Sequence, residues 1–416
     1  MNIKCAILLP LCASCLFLHG QTTDSVGHWG GSAGVSPGYA LSADKYQKKW
    51  LKGKRNLSME ATLDYRALPS DSDAFASDYG YPTLSAGLKV GLNHNVTMHK
   101  SPSPYWGLAE EVDYDSYMGN TVALYGGFSR PILRTRHWEV DAQLQAGVAY
   151  SHTKYDVANN IDNEIVGARW LIYFGLGPHV TYMIDRQWGV KAGVEFWHVS
   201  NGALNRPNKG GNFVGPSLSV VYRPYHHSTI WNSSPRYNPP FDKHLYLNFS
   251  LGIGAKTLFE EWNTTQFHTP KGDPDYRTGD FGLYMAYSAQ ADLMYRYARR
   301  WASGIGLDVF YGASISRVER LEKQQGIAAK YSPWSVGVGV KHQAFYNRLS
   351  LAVSVGYYLY RNMGVTAENF EKPYYERIGI QYTLPGKVGV SLGGFVKAHL
   401  TKADLTEFVV AVPIKL

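Results

Sequence analysis

The sequence has very little cysteine. Its three cysteines, Cys5, Cys12 and Cys15, lie at the N-terminus of a 416-residue chain, so a chain processed after residue 20 would hold no disulfide bond. Beyond that stretch there is no apolar run of about 18 residues, which excludes a conventional membrane-spanning helix. Charged residues make up only 18% of the chain, while 14% are aromatic and 42 are glycine. This mixture is poor in helix formers and typical of pleated sheets with tight turns.

Residues 1–20 have the order of a secretory signal peptide. Lys4 precedes a short apolar stretch at 6–13, and Gly20 gives a small residue before a polar continuation. We therefore expect an exported protein, with lipidation of Cys15 as the alternative reading of this stretch. An exported protein without disulfide bonds needs another source of stability, and the complete backbone pairing of a closed sheet would provide it.

The regular pattern of the sequence starts at about residue 57. Residues 21–56 are rich in glycine and serine and then basic, and we predict that they form an N-terminal periplasmic segment with one short helix across 40–51. From residue 57 onward, apolar and polar residues alternate in short segments, most clearly at 138–150, 245–253 and 349–359. Such alternation is typical of β-strands with two different faces.

The alternating segments predict an all-β fold. Many are close to the ~9 to 11 residues of a tilted membrane-crossing strand. The signal peptide, the aromatic residues near segment ends and the uneven connections favour an outer-membrane barrel over a soluble β-sandwich. We predict an antiparallel transmembrane β-barrel of roughly 14 to 16 strands. Two tandem eight-stranded barrels are the alternative, and a single barrel is preferred because it pairs every strand edge with one closure.

An irregular polar stretch at 224–243 divides the mature sequence and is predicted to be a linker. Residues 57–223 form the first barrel half, which contains the candidate site, and 244–416 form the second half. If the first strand rises from the periplasm, the connections 134–136 and 185–187 are periplasmic, and 68–81, 151–164 and 201–212 are external. The predicted strands of the first half are 57–67, 82–94, 104–117, 120–133, 136–150, 165–184, 188–200 and 213–223.

The most informative stretch is the run His198-Val199-Ser200-Asn201 at the end of one alternating segment. Because strand side chains alternate, His198 and Ser200 fall on the apolar face that also carries Val194 and Phe196. A neutral imidazole can accept the proton of a serine hydroxyl that attacks an acyl carbonyl. Polar groups on a lipid-facing surface are costly and tend to be functional.

The second half ends with a similar segment. Residues 390–401 echo 190–200, which suggests an internal duplication that has degenerated. In this copy the alternation places His399 and Thr401 on the polar face. Only the first half therefore presents a histidine and a hydroxyl to lipid.

The stretch from His198 to Gly202, followed by Pro207-Asn208, Gly210 and Asn212, resembles the lipid A 3-O-deacylases (PagL type), a family of outer-membrane acyloxyacyl hydrolases. The resemblance implies an eight-stranded barrel that hydrolyses an ester-linked acyl chain of lipopolysaccharide in the outer leaflet. It also implies that Ser200 is the nucleophile and His198 the general base, with Asn201 and Gly202 binding the oxyanion or substrate. No metal or other cofactor is expected.

One departure concerns the third catalytic residue. The family has a glutamate shortly after the motif, yet residues 201–223 contain no acid. Asn212 lies closest to the expected position and is predicted to orient His198 by accepting its N–H. An acid from a neighbouring loop is the alternative, and the candidates are Asp156, Asp162 and Glu164.

The formal charge of +8 favours anionic lipid head groups of the outer membrane over nucleic acid as the counter-charge of an exported protein, and a solvated basic surface is the alternative. The pair His226-His227 lacks further spaced ligands and does not indicate a metal site. The second functional hypothesis is a non-enzymatic structural or pore-forming barrel with a decayed motif. A wide lumen lined by Lys191 and Glu195 would favour the pore, and a filled interior the enzyme.

Overall fold

The computed structural model describes residues 27–230, 237–327, 329–400 and 402–416. The predicted signal peptide at 1–20, Thr401 and part of the predicted linker lie outside these residues. The described chain folds into two closed antiparallel β-barrels, and each barrel has eight strands. The all-β prediction is confirmed, and the tandem arrangement is present in place of the single larger barrel that was preferred.

The first barrel has the strand order β1-β10-β9-β8-β7-β6-β3-β2, and β1 closes the sheet by pairing with both β2 and β10. Two very short strands, β4 and β5, pair with each other in the loop between β3 and β6. The strands are β1 Trp29–Leu41, β2 Arg55–Arg66, β3 Thr83–Leu92, β4 Thr97–Met98, β5 Ser116–Tyr117, β6 Thr121–Arg134, β7 Trp138–Ser151, β8 Trp170–Met183, β9 Trp188–Ser200 and β10 Gly211–Tyr222.

In the second barrel every strand pairs with its neighbours in sequence, and β11 closes the sheet against β18. Its strands are β11 His244–Lys256, β12 Tyr284–Ala298, β13 Trp301–Gly312, β14 Trp334–Tyr346, β15 Leu349–Arg361, β16 Tyr374–Thr383, β17 Ser391–His399 and β18 Lys402–Lys415.

The helices are short and lie in the connections between strands. No helix among the described residues has the length and apolarity needed to cross a membrane. The α-helices are α1 Gln47–Trp50, α2 Ala74–Asp78, α3 Phe259–Phe267, α4 Ile315–Gln324 and α5 Val365–Phe370, and 3-10 turns occur at Pro69–Asp71, Pro104–Trp106 and His227–Thr229.

The strands expose apolar side chains and bury polar ones. On β9, Val194 is 53% exposed whereas its neighbour Glu195 is 5% exposed, and on β10 Leu218 is 55% exposed whereas Ser217 is 6% exposed. This distribution is the reverse of that in a soluble protein and is typical of barrels whose outer wall contacts lipid.

Charged side chains fill the interior of the first barrel. Lys89 Nζ lies 3.2 Å from Glu60 Oε2 and 2.7 Å from Glu195 Oε2, and His179 Nε2 lies 3.1 Å from the other oxygen of Glu195. A cavity beside Lys89 and Trp197 measures about 10 Å³, which is room for about one water molecule. The paired charges therefore occupy the space that a wide channel would need.

The end of the first barrel that carries the short turns is closed by a buried cluster around Glu139. The carboxylate of Glu139 accepts hydrogen bonds from Arg66 at 2.8 Å, Arg134 at 2.5 Å and Arg223 at 2.9 Å. All four side chains are buried, and Glu139 is the acceptor that the three guanidinium groups share. A buried charge without a partner is costly. Substitution of Glu139 is therefore expected to destabilise the folded barrel.

Two strand assignments from the sequence are wrong. The barrel begins earlier than predicted, because residues 29–41 form β1 within the segment interpreted as periplasmic. Four glycines obscure this strand, yet a Cβ at Gly38 would lie 2.6 Å from the ring of Trp197, so a side chain would not fit. The predicted strand at 104–117 belongs to the loop between β3 and β6, where Gly107 has a φ of +52°.

The two errors have opposite effects on strand direction. Because β1 adds one strand, the connection 67–82 lies at the short-turn end and not at the external end that was predicted. The loss of the predicted strand at 104–117 restores the order from β6 onward. The connections 135–137 and 184–187 therefore share one end, and the loops 152–169 and 201–210 share the other, as expected.

Candidate active site

The antiparallel pair β9–β10 forms the centre of the candidate site. Residues alternate between the two faces of β9, so Lys191 and Glu195 point into the barrel while His198 and Ser200 lie on the outer face with Val194. The register places His198 opposite Asn212 of β10. Because directly opposite side chains of an antiparallel pair share a face, Asn212 is also on the outer surface.

His198 and Asn212 are in direct contact. His198 Nδ1 lies 2.8 Å from Asn212 Oδ1. An amide oxygen only accepts hydrogen bonds, so Nδ1 of His198 carries the proton and Nε2 keeps its lone pair. This tautomer leaves Nε2 able to act as a base.

Ser200 lies two residues beyond His198 on the same outer face and is half-buried. Within the described residues no hydrogen bond joins Ser200 Oγ to His198. On neighbouring β8, Ile172 is opposite Ser200 and Phe174 is opposite His198, and both are half-buried on the same surface. The histidine and serine therefore lie within an apolar surface, which suits contact with an acyl chain.

The loop after β9 carries the two residues expected to bind the oxyanion or substrate. Asn201 is 2% exposed. Gly202 has a φ of +61°, a backbone conformation that favours glycine at the start of this loop. Both residues directly follow Ser200, so their backbone amides are close to the hydroxyl in sequence.

Gly210 has a position in the site that sequence reasoning noted only as part of a motif. Its φ is +72°, and a Cβ there would lie 2.6 Å from His198 Cε1. The amide of Gly210 donates to the carbonyl of Ile165 at 3.0 Å, and the amide of Lys209 donates to the carbonyl of Glu164 at 2.9 Å. These bonds hold the end of the loop against the imidazole.

The loop acids considered as alternatives to Asn212 have other partners. Glu164 Oε1 lies 2.5 Å from Lys100 Nζ, and a carboxylate oxygen of Asp162 accepts from the amide of Lys100 at 2.8 Å. Asp156 accepts from the amide of Ala158 at 3.0 Å. Of the four candidates, the structure brings Asn212 to the Nδ1 of His198.

Two family models match the chain. "Lipid A 3-O-deacylase (PagL)" matches residues 80–221, which include β9 and β10, and "Acyloxyacyl hydrolase, C-terminal domain" matches residues 244–415. Together the matches cover most of the sequence. The chain belongs to the PagL family. The members of this family are lipid A 3-O-deacylases, which are ester hydrolases, so the predicted family and enzyme class are confirmed.

PagL-family membership and the barrel fold are consistent with an outer-membrane protein, and the family implies lipid A as substrate. No curated protein matches the chain. Among solved structures, a triple mutant of the Rhodopseudomonas blastica porin is 7% identical, with coverage of 93% of this chain and 99% of the porin and a TM-score of 0.16. The NanC porin is 6% identical, with 92% and 100% coverage and a TM-score of 0.15. Similarities this weak do not bear on the function.

The second barrel also has a serine and a histidine in contact on its outer face. Ser303 Oγ of β13 lies 2.9 Å from His342 Nδ1 of β14, and the ring of Trp301 stacks on the imidazole at 5.3 Å. The pair lies near the short turn that joins β12 and β13, at the opposite strand end from the long loops of this barrel. The pair Ser303–His342 therefore provides a control for substitutions in the site on β9–β10.

One group of possible metal ligands occurs among the described residues, in the second barrel. It consists of Glu371, His399 and Asp404, whose ligand atoms lie within 4.8 Å of one another. Lys397 Nζ is 2.6 Å and Lys256 Nζ 2.7 Å from the carboxylate oxygens of Asp404. Two lysines already neutralise this carboxylate, so the group is better described as a buried ion-pair cluster than as a metal site.

Proposed function

We propose that this chain is a serine esterase that removes an ester-linked acyl chain from lipid A in the outer leaflet of the outer membrane. The observation that carries the proposal is the grouping of His198, Ser200 and Asn212 on the lipid-facing surface of β9–β10, inside the region matched by the deacylase family. Short turns of outer-membrane barrels face the periplasm, and Ser200 lies at the opposite end of its strand.

The proposed reaction starts with Ser200 Oγ as nucleophile. His198 Nε2 takes the hydroxyl proton as Oγ attacks the ester carbonyl, which forms a tetrahedral intermediate. His198 then donates that proton to the departing sugar oxygen, and the acyl chain stays on Ser200. Water, deprotonated by His198, attacks this acyl-enzyme and releases a fatty acid. Hydrogen bonds between catalytic groups often form only when substrate binds, so the missing contact between Ser200 and His198 is compatible with this sequence.

The proposed oxyanion contacts come from the loop that begins after Ser200. Donors aimed at the developing negative charge are often worth about 10²- to 10³-fold in rate. Asn201 and Gly202 supply backbone amides at this point of the chain, and Asn201 supplies a side-chain amide. We therefore assign them the stabilisation of the oxyanion.

Asn212 is proposed as the residue that positions His198. Its contact at 2.8 Å fixes the ring and its tautomer. Unlike a carboxylate, a neutral amide does not stabilise the imidazolium that forms during catalysis by charge. We expect a slower hydrolase than one with a carboxylate at this position.

The interior of the first barrel supports an enzyme over a pore. Lys191 and Glu195, expected to line a wide lumen if the protein were a channel, are 4% and 5% exposed. Glu195 is paired with Lys89 and His179 across the interior. A filled interior offers no wide aqueous route among the described residues.

The test is the mass spectrum of lipid A from cells that express the full chain. Wild type should remove one acyl chain, and Ser200→Ala should reduce the rate by about 10³-fold or more. The matched control is Ser303→Ala, because that serine is also half-buried, outward-facing and close to a histidine. Full deacylation by Ser200→Ala, or its loss in Ser303→Ala alone, would exclude the proposed site.

A further inference from the structure

The loop between β1 and β2 is strongly basic. Residues 44–55, which end at the first residue of β2 and are called the basic loop, contain five lysines and one arginine but a single acid, Asp44. The side chains of Lys45, Lys48, Lys52 and Arg55 are exposed, and in the described part of the chain none of them pairs with an anion. By contrast, exposed Lys271 and Lys415 each lie 2.6 Å from a carboxylate oxygen. These four side chains are thus exposed cations without a carboxylate partner among the described residues.

The backbone of the basic loop is held in place. Trp50 and Leu51 are 0% and 3% exposed, and the amide of Lys52 donates to the carbonyl of Thr97 at 2.9 Å. Asp44 accepts from Lys209 Nζ at 2.8 Å, so the acid is already used to tie this loop to the loop after β9. The exposed lysines therefore project from an anchored segment.

Sheet register places the basic loop next to the candidate site. Across the wall, His198 of β9 is opposite Asn212 of β10, and Asn212 is opposite Leu41, the last residue of β1. The basic loop follows Leu41 and leads into β2, which is three strand steps from β9. At a spacing of ~4.8 Å per step this is about 14 Å along the sheet. Ser200 and the basic loop also share the same end of the barrel.

Three exposed acids of this end lie in a loop that starts from the strand opposite β9. Glu111, Asp113 and Asp115 are exposed in the loop between β3 and β6. In the strand order, β3 is four steps from β9 in the eight-stranded ring, which is as far away as a strand can be. The basic loop starts two strand steps from β9 and is thus nearer to the site than this acidic loop, so its cations would attract an anionic group of a substrate.

We propose that the basic loop binds a phosphate group on the sugar head group of lipid A while the acyl ester lies against His198 and Ser200. This inference rests on the proposed function. Lipid A is a phosphorylated disaccharide whose acyl chains lie in the membrane, so its phosphates stay at the level of the loops. Lysine side chains act as mobile point charges toward phosphate, and each adds to the attraction at an anionic lipid surface.

The test measures lipid binding by the full chain in the Ser200→Ala background, which removes turnover. The variant combines Lys45→Gln, Lys48→Gln and Lys52→Gln. The control combines Lys323→Gln, Lys330→Gln and Lys372→Gln, three exposed lysines in the connections between strands of the second barrel. The ligands are detergent-dispersed lipid A with its phosphates and the same lipid A after enzymatic dephosphorylation.

We expect the basic-loop variant to bind phosphorylated lipid A at least 10-fold more weakly, with binding of the dephosphorylated lipid unchanged. The control variant should match the parent for both lipids. An equal loss for both lipids, or no loss for either, would overturn the proposal. Competition by phosphatidylglycerol as strong as by lipid A would also overturn it, because the loop would then bind any anionic membrane surface. Competition by inorganic phosphate at millimolar concentration is expected.

These outcomes are separate from the test of the proposed function. Deacylation by the Ser200→Ala variant would contradict the catalytic assignment, yet the binding difference between the two lipids would still be measurable. Conversely, the protein could deacylate lipid A normally and bind lipid A equally well with and without its phosphates. The catalytic assignment would then stand, and the proposed role of the basic loop would be wrong.

Discussion

His198 and His399 occupy corresponding positions, each near the end of the penultimate strand of its barrel, yet they face opposite sides. His198 is half-buried on the outer surface and contacts Asn212. His399 is 2% exposed inside the second barrel, where its Nε2 lies 2.9 Å from Tyr358 Oη. Because strand side chains alternate, a shift of one residue is enough to move a ring from the lipid to the interior. Similar sequence therefore does not make the second histidine a catalytic candidate.

The connection after each histidine differs as well. After β9 the chain forms the loop 201–210, which contains Asn201, Gly202 and Gly210. After β17 only residues 400–401 precede β18, so the second barrel has no counterpart of this loop. An outward face and a loop that supplies donors and contacts the ring are both needed for the proposed chemistry. Only the first barrel combines them.

The largest expected difference in deacylation rate is between the two variants in which His198 or His399 is replaced by alanine. His198→Ala should lower lipid A deacylation by about 10²- to 10⁴-fold, since it removes the proposed general base. His399→Ala should leave the rate close to wild type, although it leaves Tyr358 without its ring partner. Single-time-point mass spectra of lipid A with matched expression levels check both. Equal losses in the two variants would place the active site elsewhere.

Substitution of Asn212 tests whether the contact to His198 matters. Asn212→Leu should lower the rate by about 10²-fold, because the ring and its tautomer are no longer fixed. Asn212→Asp keeps the size of the side chain and adds a charge that stabilises the imidazolium, so its rate should equal or exceed that of wild type. Initial rates with purified protein in detergent micelles give the comparison. A wild-type rate for Asn212→Leu would transfer the role to another group.

A smaller loss of activity is expected at Gly210. Gly210→Ala introduces a Cβ at 2.6 Å from His198 Cε1 and should lower the rate by about 10-fold. Gly272 is the matched control in the second barrel, because its φ is +97° and an added Cβ would meet nothing within 4 Å. Both variants carry backbone strain of about 1 kcal/mol. If Gly272→Ala slows deacylation as much as Gly210→Ala, strain and not contact with the imidazole explains the effect.

Protonation of His226 concerns folding stability and leaves the site untouched. Burial lowers the pKa of His226, beyond β10, to about 4, against the pull of Glu139, while Nε2 bonds the Thr135 carbonyl at 2.9 Å. An unfolded histidine has a pKa of about 6.5, so as pH falls from 7 toward 4 the unfolded chain binds a proton that the folded barrel does not. Folding stability should fall by up to about 3 kcal/mol over this range.

Urea unfolding of the full chain, followed by the gel mobility of unheated samples, measures the trend with pH. His226→Gln should flatten the pH dependence between 6.5 and 4. His244, half-buried at the start of β11, provides the control through His244→Gln, which should leave the trend unchanged. A pH dependence identical in wild type and His226→Gln would refute the assignment.

The features predicted correctly depend on local pattern. Alternation along β9 places His198 and Ser200 on one apolar face, and the hairpin β9–β10 brings Asn212 across from His198 because only one loop separates them. These relations follow from the period of two within a strand and from pairing between neighbours in sequence.

The features that were missed depend on distant parts of the chain. Closure of two barrels requires β1 to pair with β10 and β11 with β18, and residues far apart in sequence carry no local sign of such pairing. The strand β1 was obscured because its glycines make room for side chains of other strands. The contact of Gly210 with His198 and the pair Ser303–His342 likewise exist only once the sheet is formed.

If the proposed reaction takes place at His198 and Ser200, their outward position confines it to the two dimensions of the membrane leaflet. A substrate embedded in the same leaflet meets these side chains by lateral diffusion and does not need to enter a lumen or leave the bilayer. The rate is then governed by the mole fraction of substrate among the surrounding lipids and not by its bulk concentration. Dilution of the leaflet with inert lipid should slow the enzyme, even when the total amount of substrate in the sample is constant.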